Sequence, residues 1–239
     1  MKNLFYVVLV WLLPASIFAI GGFGLSGGVA SFTADPSSSP LVLDTGLEVG
    51  RIEQYGFEGA LAIGGYVYLD IIPFVDVDIE VNGMANVYDF SFYNDAMALL
   101  NQSPDTLQFA YVAGNQYITI KKPLLKLGIP FLAKAKLSAG AGINTHAATP
   151  IINQEMISAF VTGADGQSDL QNGTFDSAAL ETYLKDNLIE SSGVHLQLGL
   201  QFRLLTFDAF AYYRQTIAED VVPGKSGFGS LNFRLGLGI

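Results

Sequence analysis

Ser230-Leu-Asn-Phe-Arg-Leu-Gly-Leu-Gly-Ile239 closes the chain, and its reading decides the fold. Leu231, Phe233, Leu235, Leu237 and Ile239 share one parity. Ser230, Asn232, Arg234, Gly236 and Gly238 share the other. A period of two is a strand with one apolar and one polar face. A strand leaves unpaired backbone groups on its edges, so it implies neighbours of the same kind.

The same alternation recurs upstream. Strands are expected at Gly21–Phe32, Phe57–Asp70, Phe74–Ser91, Leu107–Lys121, Phe131–Thr145, Gly193–Leu205 and Phe207–Thr216. The connections alternate between long polar loops (Thr33–Tyr55, Phe92–Thr106, His146–Ser192, Ala218–Ser226) and tight links at Asp70–Pro73, Lys121–Pro130 and Leu205–Asp208. An even strand count with long loops at one end and short turns at the other is the signature of a membrane-spanning barrel. It brings both ends of the mature chain to the short-turn side. Tyr66, Tyr68, Phe90, Phe92, Tyr93, Tyr117, Phe131, Phe202, Phe207, Tyr212, Tyr213 and Phe228 fall near strand ends, where aromatic girdles are expected.

Half of the residues are apolar, yet after the N-terminus no uninterrupted apolar run reaches the length of a membrane helix. Lys2 precedes an apolar stretch from Leu4 to Ile20 that ends in small residues, so residues 1–19 read as a cleaved signal peptide and 20–239 as one barrel domain. The absence of cysteine excludes a disulfide framework and thiolate chemistry. A formal charge of −10 argues against nucleic acid as a partner.

In its leader, strand pattern and loop asymmetry the chain resembles the small eight-stranded outer-membrane proteins of diderm bacteria. The resemblance covers nearly all of the mature chain and is architectural. It implies an all-β, antiparallel, up-and-down barrel in the outer membrane. It also implies contact with outer-membrane lipid and recognition of the C-terminal strand by the assembly machinery. Such proteins usually end in an aromatic residue, whereas this chain ends in Ile239, with Phe233 further in.

With the apolar faces toward lipid, the other faces line a lumen. An ionic cluster is expected there from Asp76, Asp78, Glu80, Lys134, Lys136, His195, Arg203 and Arg234, because charge in a narrow barrel must be paired or hydrated. Eight strands leave an interior that side chains can fill. Gly22, Gly24, Gly28, Gly236 and Gly238 line the closing seam thinly. Either a ligand-sized pocket sits at that seam, or Arg203, Arg234 or aromatic side chains cross over and fill it.

The long loop 146–192 holds two helical patterns, Ile151–Phe160 and Asp176–Ile189. The second carries Leu180, Tyr183, Leu184 and Leu188 at helical spacing, with Asp176 or Ser177 as N-cap. This helix is expected to cap the barrel mouth and is the candidate surface for an extracellular partner.

Other motifs fail on context. Asp44-Thr-Gly46 is a single tripeptide in a turn-rich loop, and aspartic protease chemistry needs two such aspartates. Gly22-Phe-Gly24-Leu-Ser-Gly27 has neither the preceding strand nor the helix that a dinucleotide fingerprint requires. His146 and His195 show no nucleophile, base and acid set. No metal or cofactor is expected. The expected function is a non-enzymatic envelope barrel with a structural or surface-interaction role. A narrow channel or carrier is the first alternative, and a lipid-modifying enzyme the second.

Overall fold

The computed structural model describes residues 21–42, 46–72, 75–94, 106–129, 132–160 and 176–238. The leader, Asp44 and Ile239 lie outside these residues.

The strands are β1 (Gly21–Ala34), β2 (Ser37–Val42), β3 (Glu48–Gln54), β4 (Phe57–Ile72), β5 (Val75–Asn94), β6 (Thr106–Ile129), β7 (Ala133–Ala148), β8 (Ile189–Leu204), β9 (Phe207–Ile217) and β10 (Gly227–Gly238). Helices α1 (Gln154–Phe160) and α2 (Ser177–Asp186) lie between β7 and β8. All pairings are antiparallel, and β1-β4-β5-β6-β7-β8-β9-β10 closes on itself through β1–β10. The protein is therefore a closed, membrane-spanning, eight-stranded up-and-down barrel, with β2 and β3 as an added hairpin.

Parity governs burial as the C-terminal stretch requires. Leu231, Phe233, Leu235 and Leu237 are 41–69% exposed, whereas Ser230, Asn232 and Arg234 are 7% exposed or less. A globular core would hide those leucines; a lipid-facing band displays them. Closure gives each of the eight ring strands a neighbour on both sides, which is what lets strands cross a membrane.

Three expectations fail. The stretch Thr33–Tyr55 is not a loop: β2 and β3 pair there, and β3 continues the sheet beside Phe90–Asn94 of β5. Its polar composition hid the alternation, because Arg51 is exposed to water while Ile52 and Gln54 are buried. The link at Lys121–Pro130 is strand as well. β6 runs to Ile129 in register with β7, with a bulge between Pro123 and Leu125. Proline is tolerated because β6 has lost its β5 neighbour past Asp76–Lys121. Finally, half of the expected girdle aromatics point inward. Tyr66, Tyr68, Phe90, Tyr117, Tyr212 and Phe228 are 4% exposed or less, whereas Phe202, Phe207 and Tyr213 face outward. Position near a strand end was the wrong guide; parity decides the face.

Candidate functional site: the lumen and its cap

Nearest the short turns, Asp208 of β9 collects donors from two other strands, β8 and β4. Arg203 Nε and Nη2 donate to its two oxygens at 2.9 and 2.8 Å, Gln201 Nε2 donates at 3.0 Å, and the Tyr68 hydroxyl donates as well. At the same end Lys136 pairs with Asp76 and lies 3.7 Å from Asp70, while Lys134, partly exposed at the rim, lies 3.6 Å from Asp70.

Further in, Glu80 is the hub. Its carboxylate accepts from Arg214 Nη2 (2.8 Å), the Tyr212 hydroxyl (2.5 Å), Asn82 Nδ2 (2.8 Å) and the Arg234 guanidinium. Asp78 accepts from Arg234 Nη1 at 2.6 Å and pairs with Lys121 Nζ at 2.7 Å. The guanidiniums are also stacked on rings. Arg214 lies 3.7 Å from the Tyr117 centroid, and Arg234 lies 4.7 Å from both Tyr66 and Tyr212. Charges removed from water are held here by opposite charge, hydrogen bonds and aromatic faces together.

Above Glu80 the lumen turns from ionic to amide and imidazole. Asn82 Oδ1 accepts from Asn115 Nδ2 at 2.8 Å. His146 Nδ1 lies 2.7 Å from Asn115 Oδ1, and its Nε2 lies 2.9 Å from Asn144 Oδ1. His195 Nε2 meets the Thr119 hydroxyl at 2.8 Å, with the His195 ring edge-on to Tyr117.

The loop end is closed by an apolar core. The rings of Phe32, Phe57, Tyr88, Tyr111 and Phe228 pack at centroid distances of 5.4–6.2 Å. Val221 and Val222, from the loop between β9 and β10, are 0% and 1% exposed, and Met156 of α1 is 0% exposed. Polar ties hold the lid. Tyr111 donates to the Val221 carbonyl, Tyr88 accepts from Ile152 N at 2.9 Å, and the Gln154 amide brackets the Val42 backbone at 2.7 and 3.1 Å. α2 starts at Asp176, whose side chain accepts from Ala178 N and Ala179 N. Its Leu180, Tyr183 and Leu184 pack partly against this core, and Leu188 stays 40% exposed.

Of the residues singled out from the sequence, Asp76 and Lys136 meet, and Asp78, Glu80 and Arg234 meet. Arg203 turns instead to Asp208, Lys134 to Asp70, and His195 to a threonine. Arg214, Lys121, Asp70 and Asp208 complete the network and were missed. Arg214 shares parity with Phe210 and Tyr212 and was legible on that ground; Lys121 stands at the junction of the expected strand Leu107–Lys121 and the link after it, where parity is a weak guide. The described seam glycines are closely approached by neighbouring atoms. A Cβ on Gly22 would lie 2.5 Å from the Tyr68 ring, one on Gly236 2.6 Å from the Tyr66 hydroxyl, and one on Gly238 2.4 Å from the Arg203 guanidinium. A Cβ on Gly28 would lie 2.4 Å from the Asn232 amide, and one on Gly24 2.2 Å from the Leu235 carbonyl. Large inward side chains fill the volume that glycine leaves.

No protein family and no curated protein matches this sequence. Solved structures similar to it include the outer membrane protein OprG from Pseudomonas aeruginosa, at 12% identity and a TM-score of 0.42, covering 92% of this chain and 95% of that one. The N-terminal β-barrel domain of Pseudomonas aeruginosa OprF is similar at 10% identity and a TM-score of 0.39, covering 91% and 99%. Ail, the attachment invasion locus protein of Yersinia pestis, solved with the heparin analogue sucrose octasulfate, is similar at 10% identity and a TM-score of 0.33, covering 92% and 97%.

Proposed function

We propose that the protein is a non-enzymatic outer-membrane barrel of a diderm bacterium. It would be exported by cleavage after residue 19, inserted through its C-terminal strand, and oriented with the short turns in the periplasm. Its role is structural or surface-interacting, and the surface offered outward is the cap built by α1, α2 and the β2–β3 hairpin. The observation that carries this reading is the double seal. An ion-paired lattice centred on Glu80 fills the lumen, and an apolar core with Met156, Val221 and Val222 closes the mouth above it. A barrel filled in both layers has little to gain as a conduit and leaves function to the loops.

Protein extracted from membranes should migrate differently unheated and boiled on a denaturing gel, and should give no steady conductance in planar bilayers. A protein soluble without detergent would sink the proposal. One observation favours a second reading, a narrow channel or carrier. Asn144 Nδ2, His195 Nδ1 and Thr216 Oγ1 are buried without a hydrogen-bond partner, as groups facing internal water are. Steady small conductance in the same recordings would promote it. Hydrolysis of lipid substrates, lost on His146→Ala, would replace both readings with an enzyme.

A further inference from the structure

The central lattice of the lumen is one negative charge short. Lys121, Arg214 and Arg234 are each 5% exposed or less, and they share two carboxylates, Asp78 and Glu80. Asp70, Asp76 and Asp208 are engaged nearer the short turns, the first two with Lys136 and the third with Arg203. Three buried cations on two carboxylates leave one positive charge held away from bulk water. Such a charge is costly unless something pairs it.

The unpartnered groups locate the shortfall. Arg214 turns both Nη atoms to Glu80, and Nη2 also to Gln197, but its Nε–H has no acceptor. Asn144 Nδ2, His195 Nδ1 and Thr216 Oγ1 are likewise unpartnered, and all four residues are 2% exposed or less. Thr216 stands directly opposite His195, with Arg214 two residues away on the same face of β9. On its other side His195 is opposite Gly142, and Asn144 follows two residues along β7. Opposed Cβ atoms in a sheet are about 5 Å apart and diagonal ones about 7–8 Å, so the four groups border one small region. Tyr117 of β6 bounds it. The centroid of its ring is 3.7 Å from the Arg214 guanidinium and 5.3 Å from His195, and its hydroxyl lies beside Thr216 and Arg214.

These four groups share one chemistry: all can donate. Arg214 Nε and Asn144 Nδ2 are donors only, and the Thr216 hydroxyl can donate. His195 Nδ1 carries the proton when the Thr119 hydroxyl, 2.8 Å from Nε2, donates to that nitrogen. The unpartnered groups on the opposite wall differ. Asp78 Oδ1 only accepts, and the hydroxyls of Ser26 and Tyr66 can do either. A buried excess of one positive charge beside four donors matches a small monovalent anion, because hydrogen bonds to an ion are stronger than those between neutral groups.

We infer that the lumen binds a single halide ion, with Arg214 Nε, Thr216 Oγ1, His195 Nδ1 and Asn144 Nδ2 as its donors. The ion would be part of the lumen's filling, so the inference is independent of the surface role proposed above.

Bromide is the probe. The detergent-extracted protein is crystallised with bromide in place of chloride, and the anomalous scattering is located. In parallel, the temperature at which heat-shifted mobility is lost is followed as bromide replaces gluconate at constant ionic strength. An anomalous peak is expected within hydrogen-bond reach of Arg214 Nε and Thr216 Oγ1, together with a midpoint that rises with bromide. Thr216→Val should still insert, because the hydroxyl it loses has no protein partner. It should raise the bromide concentration for half of that rise about tenfold. Ser26→Ala, on the opposite wall, should leave that concentration unchanged. A midpoint indifferent to bromide overturns the site even where a peak is seen, since that is binding at crystal concentration only. Water without anomalous signal at Arg214 Nε overturns it too, as does an equal bromide response in the parent and Thr216→Val.

Discussion

The two ends of the lumen are plugged by opposite chemistries. Toward the short turns the filling is charge on charge, with Glu80 and Asp208 each gathering donors from several strands. Toward the loops it is hydrocarbon and aromatic rings with a few hydrogen bonds at the margin. The lower plug belongs to the strands themselves, so it cannot open without breaking barrel contacts. The upper plug is contributed partly by α1 and by the β9–β10 loop, which lie outside the eight-stranded ring. The contrast predicts a rigid layer and a separable one.

The sharpest way to break that contrast is at the hub. Glu80→Ala leaves Arg214 and Arg234 buried without their shared carboxylate. Removing one partner of a buried ion pair costs about 3–5 kcal/mol. The variant should lose its heat-shifted mobility at a lower temperature than the parent, or fail to insert. If mobility and insertion match the parent, the lattice is not the rigid layer. Glu80→Gln combined with Arg234→Met should cost less than the sum of the single changes, because the two residues share one network.

The cap should respond differently. Met156→Ala removes a fully buried side chain from α1, at a cost of about 2–5 kcal/mol. That cost should fall on the lid: limited proteolysis of the outer loops should speed up while the heat shift is unchanged. Val222→Asp should act the same way more strongly, and should still give no conductance while the Glu80 lattice remains beneath. Conductance from Val222→Asp alone would show that the lower layer does not seal.

The two layers were also unequally legible in the sequence. Parity on β5 and β10 was enough to send Asp76, Asp78, Glu80 and Arg234 inward, because one rule fixes the face of every second residue. It would have placed Arg214 too, and it overruled the girdle reading of Tyr66 and Tyr212. The partners were less legible, since which lysine meets which aspartate depends on register and stagger around the ring. Lys134 and Lys136 differ by two residues yet reach Asp70 and Asp76 respectively. The cap was the least visible. Ile152 and Met156 come from the short helix expected at Ile151–Phe160, Val221 and Val222 from a segment that read as polar loop, and they join one core only because a closed barrel offers them a ring of aromatics. Turn-end packing was half legible: glycine at the seam marked missing volume, but only the structure shows Tyr66, Tyr68 and Arg203 occupying it.

A smaller effect tests how separable the lid is. Asp176 caps α2 through the N–H groups of Ala178 and Ala179, and replacing such a cap by alanine typically costs about 1 kcal/mol. If α2 is held mainly by its own helix and by α1, Asp176→Ala should raise hydrogen exchange over residues 177–186 while exchange in β8, entered directly after the helix, stays as slow as in the parent. If exchange rises along β8 as well, lid and ring form one cooperative unit, and the contrast between a rigid and a separable plug fails at its junction.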